Sequence, residues 1–418
     1  MSEILHVSSV AGSPLLDCAG DRLGRVEDVV ARLDLADGLP PVIGLKARIG
    51  GREVFMPMSH LDRLELEAAR ASTTKLNLAQ FERRPGEILL RCDVLDKSLI
   101  NVQSARLVTA REVDLVRDGD SWRVAGIDPS FKARLRRLLP RRLRGHEHEH
   151  EQFVAWSDME PFMGHVPTSR LKLAHRRLAR LHPAQIADLV EAASHEEGEE
   201  ILEAVAQDKE LEADVFEELD DEHQVEFLRE RSDQEVAAVL ARMESDDAAD
   251  LLLEIEQERR LPILGQLPLE TQRKIKGLLG FNPSTAGGIM NPDFMSVGAN
   301  ATVADALARF RTTELGEQHA SIVCVIEDSG VLIGALSLPE LVRADEQTPV
   351  CDLIESPIPT VGTEEELPEV ARLMTDFNLI AMPVLDAEAK PVGTIAVDDV
   401  LELLLPDEWR RRAGAARD

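Results

Sequence analysis

The sequence predicts a multidomain chain with three architectures in series: a β-barrel-like N-terminal domain, an all-α helical superhelix, and an α+β pair of repeated units. Three observations carry this. Residues 15–128 break into short β-rich runs, among them LGRVEDVVARL, PPVIGLKARI, REVFMPM, GEILLRCDVL and SWRVAGID, split by Gly, Asp and Pro. From residue 169 the apolar positions recur every three or four residues, as in LARLHPAQIADLVEAAS and SDDAADLLLEIEQ. After the heptad STAGGIM at 284–290 two stretches of similar pattern follow one another, MSVGANATVADALARF with SIVCVIEDSGVLIGALSLPEL and IPTVGTEEELPEVARLM with LIAMPVLDAEAKPVGTIAVDDVL.

Length and composition agree with several cores rather than one. The chain has 418 residues, long enough for two to four domains. The divisions fall at residues 1–128, a linker 129–168, a helical domain 169–280, repeated units at 281–351 and 352–406, and a tail 407–418. The formal charge of -30, from 77 acidic and 47 basic residues, repels phosphate backbones and attracts cations. With only 3% aromatic residues and no tyrosine, stacking platforms for nucleic acid are not expected either. Cys18, Cys92, Cys324 and Cys351 are scattered without a CxxC pair, which fits a reducing compartment. No apolar run reaches the roughly 18 residues of a membrane span, and no signal peptide is evident, so the expected location is the cytoplasm.

In the first domain, DCAGDRLGRVEDVVARLDL and RCDVLDKSLINVQSARLVTAREVDLV, with SWRVAGID after them, resemble the duplicated form of the PRC-barrel family. That family serves several systems, so the likeness implies a fold and an interaction or scaffold role but no chemistry. Asp28, Asp93, Asp96 and Asp114 read as turn and strand-end carboxylates rather than ligands.

The linker has two unlike halves. Lys132, Arg134, Arg136, Arg137, Arg141, Arg142 and Arg144 form a basic block interleaved with leucines. Residues 131–144 are suited either to peripheral contact with an anionic membrane or to docking on the chain's own acidic domains. His146, His148 and His150 alternate with glutamates, a pattern of a polar spacer or an incidental transition-metal tract.

The helical region offers start signals at Asp220, Ser232 and Ser245, with Ser232 and Glu235 spaced as a capping box and Pro183 at a first helical turn. His182 reads as structural. Asp246 and Asp250 stand four apart and share a helix face. At the joint, Gly287 and Gly288 are expected to supply backbone angles other residues resist. LHPAQIADLVEA, SDDAADLLLEI and LPLETQRKIKGLLGFNPSTAGGIM, with the asparagine and proline after them, resemble the cytosolic part of MgtE-type magnesium transporters. The transporter's membrane pore has no counterpart in this sequence. In that family the positions of Asp246 and Asp250 bind magnesium where the helical domain meets a CBS pair. A further family position aligns with Asp214 when two residues are inserted before it.

The two repeated units resemble tandem CBS domains, which implies an α+β body that pairs again into a homodimer. Nucleotide-binding CBS domains carry a hydroxyl residue followed three positions later by Asp. Here the first unit has Ser337 and Glu340, with Pro339 where the transporters commonly have arginine, and the second has Ala396 before Asp399. The resemblance makes Asp399 and Glu402 magnesium ligands, with Asn378 at a position where the family has Asp. Oxygen-only acidic clusters suit Mg2+. Two carboxylates about 5 Å apart repel by roughly 1 to 3 kcal/mol, so unbridged pairs hold domains apart and bridging ions close them.

The function read from the sequence is therefore a non-enzymatic, magnesium-sensing regulator, whose partner is a membrane transporter or another protein and not nucleic acid. No nucleophile and base motif, P-loop, dinucleotide fingerprint or zinc-ligand spacing appears. The alternative is an adenine-nucleotide-sensing CBS adaptor built on Ser337 and Glu340.

Overall fold

The computed structural model describes residues 4–33, 39–64, 68–72, 80–119, 121–138, 153–161, 178–313, 315–354 and 358–405. Arg141, Arg142, Arg144, His146, His148 and His150, singled out above, lie outside them. The chain forms two compact units, Met1–Leu211 and Glu212–Asp418.

The N-terminal region is β-rich because its apolar residues alternate or run continuously through short strands. In Arg22–Arg32 the side chains of Val26, Val29, Val30 and Ala31 are fully buried. A seven-stranded sheet runs Arg52–Pro57, Val42–Ile49, Arg22–Arg32, Pro14–Leu16, Ala69–Ala71, Leu61–Leu64, with Glu87–Leu89 also paired to Arg22–Arg32. A second sheet orders Ile4–His6, Glu112–Asp118, Ser121–Asp128 and Val154–Ala155, and a third Arg106–Thr109, Ser98–Asn101 and Met159–Pro161. Leu15, Leu45, Ile88, Leu115, Ile127 and Met159 join one core.

The sheets depart from the expected barrel. The two edge strands of the large sheet, Arg52–Pro57 and Leu61–Leu64, are consecutive in sequence and joined by the 3₁₀ turn Met58–His60, yet among the described residues no ladder connects them. Closure needs backbone pairing between the edges, so no closed barrel is found among the described residues. The same device recurs at Trp156–Asp158, which carries the chain from Val154–Ala155 to Met159–Pro161. The RCDV segment, expected within a strand, is instead a π-helical turn over Leu90–Val94, capped by Leu95 N–H on the Leu90 carbonyl.

The carboxylates of this region have structural partners. Asp28 accepts hydrogen bonds from the amides of Val29, Arg91 and Cys92 at 2.7 to 3.0 Å. Asp93 takes both oxygens to Arg83 and accepts from Leu89 N–H. Asp114 meets His6 Nδ1 at 2.7 Å. Asp96 sits in a left-handed turn, φ 63°, and pairs bidentately with Arg137 of the Phe131–Leu138 helix at 2.7 and 2.8 Å. One arginine of the basic block thus docks on the chain's own acid.

Short helices follow from Pro183–Ala192 to Leu269–Leu278. His182 caps the first, accepting from Ala184 N–H through Nδ1 at 3.3 Å, with Pro183 at the first helical position. The Ser232 and Glu235 capping box forms as expected, and Asp220 caps Asp221–Arg229 by accepting from His223 N–H. Ser245 is different. The helix begins with it, Glu244 occupies the cap, and the Ser245 hydroxyl donates instead to Asp293 Oδ2 at 3.3 Å.

The repeated units share one topology. In the first, Ser296–Gly298 lies parallel to Ile322–Ile326, which is antiparallel to Leu332–Ser337; in the second, Val361–Gly362, Ala381–Leu385 and Pro391–Ala396 do the same. Each last strand leads into a helix, Leu338–Arg343 or Val397–Leu404. The joint packs on the second unit: Ala286 and Gly287 donate to the carbonyls of Glu365 and Thr363, each at 2.8 Å. Neither Gly287 nor Gly288 has a positive φ. Their role is space, not backbone freedom: a Cβ on Gly287 would lie 2.7 Å from the Phe281 ring, and one on Gly288 would strike the Asn282 carbonyl.

Candidate metal centre

The site lies where the Ser245–Glu254 helix, the joint and both repeated units meet. Asn291, just past STAGGIM, exchanges backbone hydrogen bonds with Thr394 at 2.9 Å each way. Its side-chain amide donates to Glu244 Oε2 at 2.6 Å, while its carbonyl accepts from Asp293 N–H. Asp293 is held in turn by Lys274 Nζ at 2.8 Å. These contacts fix Glu244, and with it the start of the helix bearing Asp246, Asp247 and Asp250.

His319 enters from the 3₁₀ turn before Ile322–Ile326. It is 3% exposed, hydrogen-bonds Thr394 Oγ1 through Nδ1 at 2.9 Å, and turns Nε2 to Glu244 Oε2 at 3.3 Å and Asp399 Oδ2 at 3.8 Å. Asp399 also accepts from Ala396 N–H at 3.1 Å, fixing it across the first turn of Val397–Leu404.

Electrostatics single out this cluster. Asp246 is buried, and its Oδ1 has no hydrogen-bond partner. Burial, then the charges of Asp399 and Glu244, push its carboxyl well above the ordinary range. Asp247 is driven the same way by burial and by Asp246, Glu217, Asp399 and Glu244. Burial first, with Asp398 and Glu244 adding, raises Asp399 to about 7 against the pull of His319. Glu217 rises to about 7 through burial and then Glu244, Asp214 and Glu218, although it accepts from Glu244 N–H at 2.6 Å. Glu244 runs opposite: burial pushes it up, but the hydrogen bond and charge of His319 and the Asn291 hydrogen bond together hold it below its usual value.

The acids expected from the sequence are distributed unequally. Asp246 belongs to the cluster, and Asp399 is the first of the charges acting on it. Asp250 is solvent-facing, yet burial of part of its carboxyl and the charges of Asp221, Glu254 and Glu402 raise it to about 6, so it shares a field with Glu402 on the other domain. Asp214 is exposed and acts on Glu217. Asn378 is exposed at φ 53°, the left-handed position that ends the Leu367–Phe377 helix, a role asparagine performs readily. Ser337 and Glu340 satisfy each other in a capping box, the glutamate accepting from Ser337 N–H at 2.7 Å.

Glu217, Glu244, Asp247, His319 and Asn291 were not anticipated. Glu244 precedes the SDDAAD motif and Asp247 lies within it, and Glu217 lies one turn beyond Asp214, so spacing on known helices was their available signal. His319 had none, because only tertiary folding brings it to the acids.

The donor set fits a divalent cation. A buried carboxylate with an orphan oxygen, surrounded by like charges, is stabilised by whatever positive charge reaches it. Asp246, Asp247, Asp399 and Glu217 supply hard oxygens of the kind magnesium takes directly or through its waters.

The MgtE intracellular N domain model matches residues 181–284, and the CBS domain model matches residues 286–347 and 350–406. The chain is 34% identical over 134 residues to the magnesium transporter MgtE of Thermus thermophilus, covering 32% of this chain and 30% of that protein. It is 30% identical over 135 residues to the MgtE of Enterococcus faecalis, with the same coverage of 32% and 30%. The chain thus spans under a third of the length of these curated relatives. Among solved structures, the soluble part of a magnesium transporter superposes with a TM-score of 0.51 at 25% identity, over 55% of this chain and 90% of that one. The cytosolic domain of the Mg2+ channel MgtE in complex with ATP gives 0.51 at 28% identity, over 55% and 93%. No helix among the described residues is long and apolar enough to cross a membrane. The second half of the chain is an MgtE intracellular N domain followed by a CBS pair, similar to the cytosolic part of magnesium transporters, and it stands behind a β-sheet region.

Proposed function

We propose that this chain is a cytoplasmic, non-enzymatic magnesium sensor in which Mg2+ bridges acids of the helical and CBS domains. Asp246 and Asp250 act from one side, Asp399 and Glu402 from the other, with Asp214 and Asn378 at the periphery. The observation that carries the reading is the buried Asp246 carboxylate, unpartnered at Oδ1 and pushed up by burial and by the charges of Asp399 and Glu244 against the pull of His319.

Without the ion, the like charges push the domains apart. With it, the same charges become ligands. Moving such an equilibrium from nearly all open to nearly all closed takes about 5.5 kcal/mol of differential binding, which two or three bridging ions can supply. The CBS pair then serves as a homodimer platform, and the β region, with the 131–144 segment, as the module that reaches a membrane transporter, another protein partner or a membrane surface.

Small-angle scattering tests this. Millimolar Mg2+ is expected to shrink the radius of gyration relative to EDTA, and an unchanged radius sinks the switch. A second reading, adenine-nucleotide sensing, is favoured by the ATP complex of the similar cytosolic domain. Against it stand the mutual engagement of Ser337 and Glu340 and the missing hydroxyl at Ala396. ATP-induced stabilisation in a thermal-shift assay, lost in Ser337→Ala, supports that reading over the first.

A further inference from the structure

Magnesium explains the oxygens of the cluster but not its histidine. His319 is as deeply buried as the apolar core, and it is oriented on both sides. Nδ1 is held by Thr394 Oγ1 at 2.9 Å, leaving Nε2 aimed at Glu244 and Asp399. Anchoring one ring nitrogen so that the other points at a common centre is how metal-ligating histidines are positioned.

One spacing is long for a hydrogen bond and also fits two ligands on a shared ion. Nε2 lies 3.3 Å from Glu244 Oε2, longer than the roughly 2.7 to 2.9 Å of a charge-assisted N–H···O bond. Two ligands each about 2.0 to 2.1 Å from a tetrahedral ion stand about 3.3 to 3.4 Å apart. One ligand atom each from Glu244, Asp246 and His319 lies within 4.8 Å of the others, and Asp246, only 8% exposed, has an unpartnered Oδ1. Room for the Glu244 carboxylate is made by Gly316, where a Cβ would come within 2.5 Å of Oε1.

We propose that Glu244, Asp246 and His319, with Asp399 beside them, form a mixed nitrogen and oxygen site that takes a divalent first-row transition ion in preference to magnesium. The reason is ligand chemistry: imidazole favours zinc, iron and nickel, whereas magnesium prefers oxygen and holds its water. This goes beyond the magnesium reading in its residues and its ion, and rests on that reading only in treating the boundary as a place where cations bind. Zinc and magnesium thereby compete for Asp246, so a transition ion closes the same boundary at far lower concentration.

The test uses the full chain with His146, His148 and His150 each changed to Gln, which removes the histidine tract as a rival ligand. Zn2+ affinity is measured by competition with a chromophoric chelator in magnesium-free buffer. The proposal expects Zn2+ to bind at least tenfold more tightly than Mg2+, and His319→Gln in that background to weaken Zn2+ binding at least tenfold. A smaller loss overturns it. Should His319→Gln not fold, Asp246→Asn, which keeps volume while removing a buried charge, is held to the same tenfold criterion. The two readings fail separately: zinc binding through His319 without magnesium compaction defeats only the magnesium switch, and compaction without it defeats only this site.

Discussion

The buried acids of the β region and the crowded acids of the helical and CBS boundary are treated in opposite ways. In the β region Asp28, Glu87, Asp93, Glu112, Asp114 and Asp128 are buried, and each meets donors from its own surroundings: backbone amides for Asp28 and Asp128, arginines for Glu87 and Asp93, Ser8 for Glu112, His6 for Asp114. At the helical and CBS boundary Asp246, Asp247, Asp399 and Glu217 are each raised by burial and by neighbouring acids, Glu244 among them, while His319 offsets this at Asp246 and Asp399. The first arrangement is what a fold does to hold itself together. The second costs stability until a cation arrives, and it is therefore where a regulator is expected.

Mutations of opposite sign sharpen the contrast. Arg83→Ala strands the buried Asp93 carboxylate with Leu89 N–H as its remaining donor, and is expected to lower stability by about 3 kcal/mol. Urea unfolding measures it, and a loss below about 1 kcal/mol breaks the claim that these acids are structural. Asp246→Asn should do the reverse, raising metal-free stability by about 1 kcal/mol or more, because it removes a charge from a crowded, desolvated position. A drop in EDTA would restore the simpler view that Asp246 serves the helix N-terminus.

The pH response follows with its sign. Asp399 and Glu217 rise to about 7 in the folded chain from ordinary values of 3.8 and 4.5, so the folded state holds more protons than the unfolded one across that window. Metal-free stability must then fall as pH climbs from about 4 through 7. Asp28, raised to about 6 mainly by burial, adds a share in the β region. Calorimetry at pH 5.5 and 8 in EDTA should show the decline, and Mg2+ should cancel the boundary's part while leaving that of Asp28. A decline untouched by Mg2+ places the response elsewhere.

The smallest effect concerns Ser337. As a helix cap it is worth about 1 kcal/mol, so Ser337→Ala lowers the melting temperature by a few degrees and leaves any ATP response intact. Loss of an ATP response in that variant would move the pair from capping to nucleotide binding.

Much of this was legible in the sequence because it is local. The Ser232 and Glu235 box, Pro183 after His182, and the repeated strand and helix order of the last two units all depend on residues near one another. Spacing also placed Asp246 beside Asp250 and Asp399 beside Glu402 on helix faces. What spacing cannot report is convergence. Glu244, Asn291 and His319 come from three segments and meet only in the folded chain. Ser245 left its expected cap because Asp293, 48 residues on, offered its hydroxyl a better partner. The glycines of the joint were attributed to backbone angle, whereas their neighbours Phe281 and Asn282 show that contact excludes a side chain. Sheet closure failed for a similar reason: strand pattern fixes which face is buried, not whether two edges pair.

Magnesium binding by the boundary acids is the property to measure most directly. Isothermal calorimetry of the full chain, with Asp250→Asn and Asp399→Asn beside it, reads this without reference to stability. Each variant removes one charged ligand from one side of the boundary, and each should bind Mg2+ several-fold more weakly than the parent. Parental magnesium affinity in both variants would contradict the account.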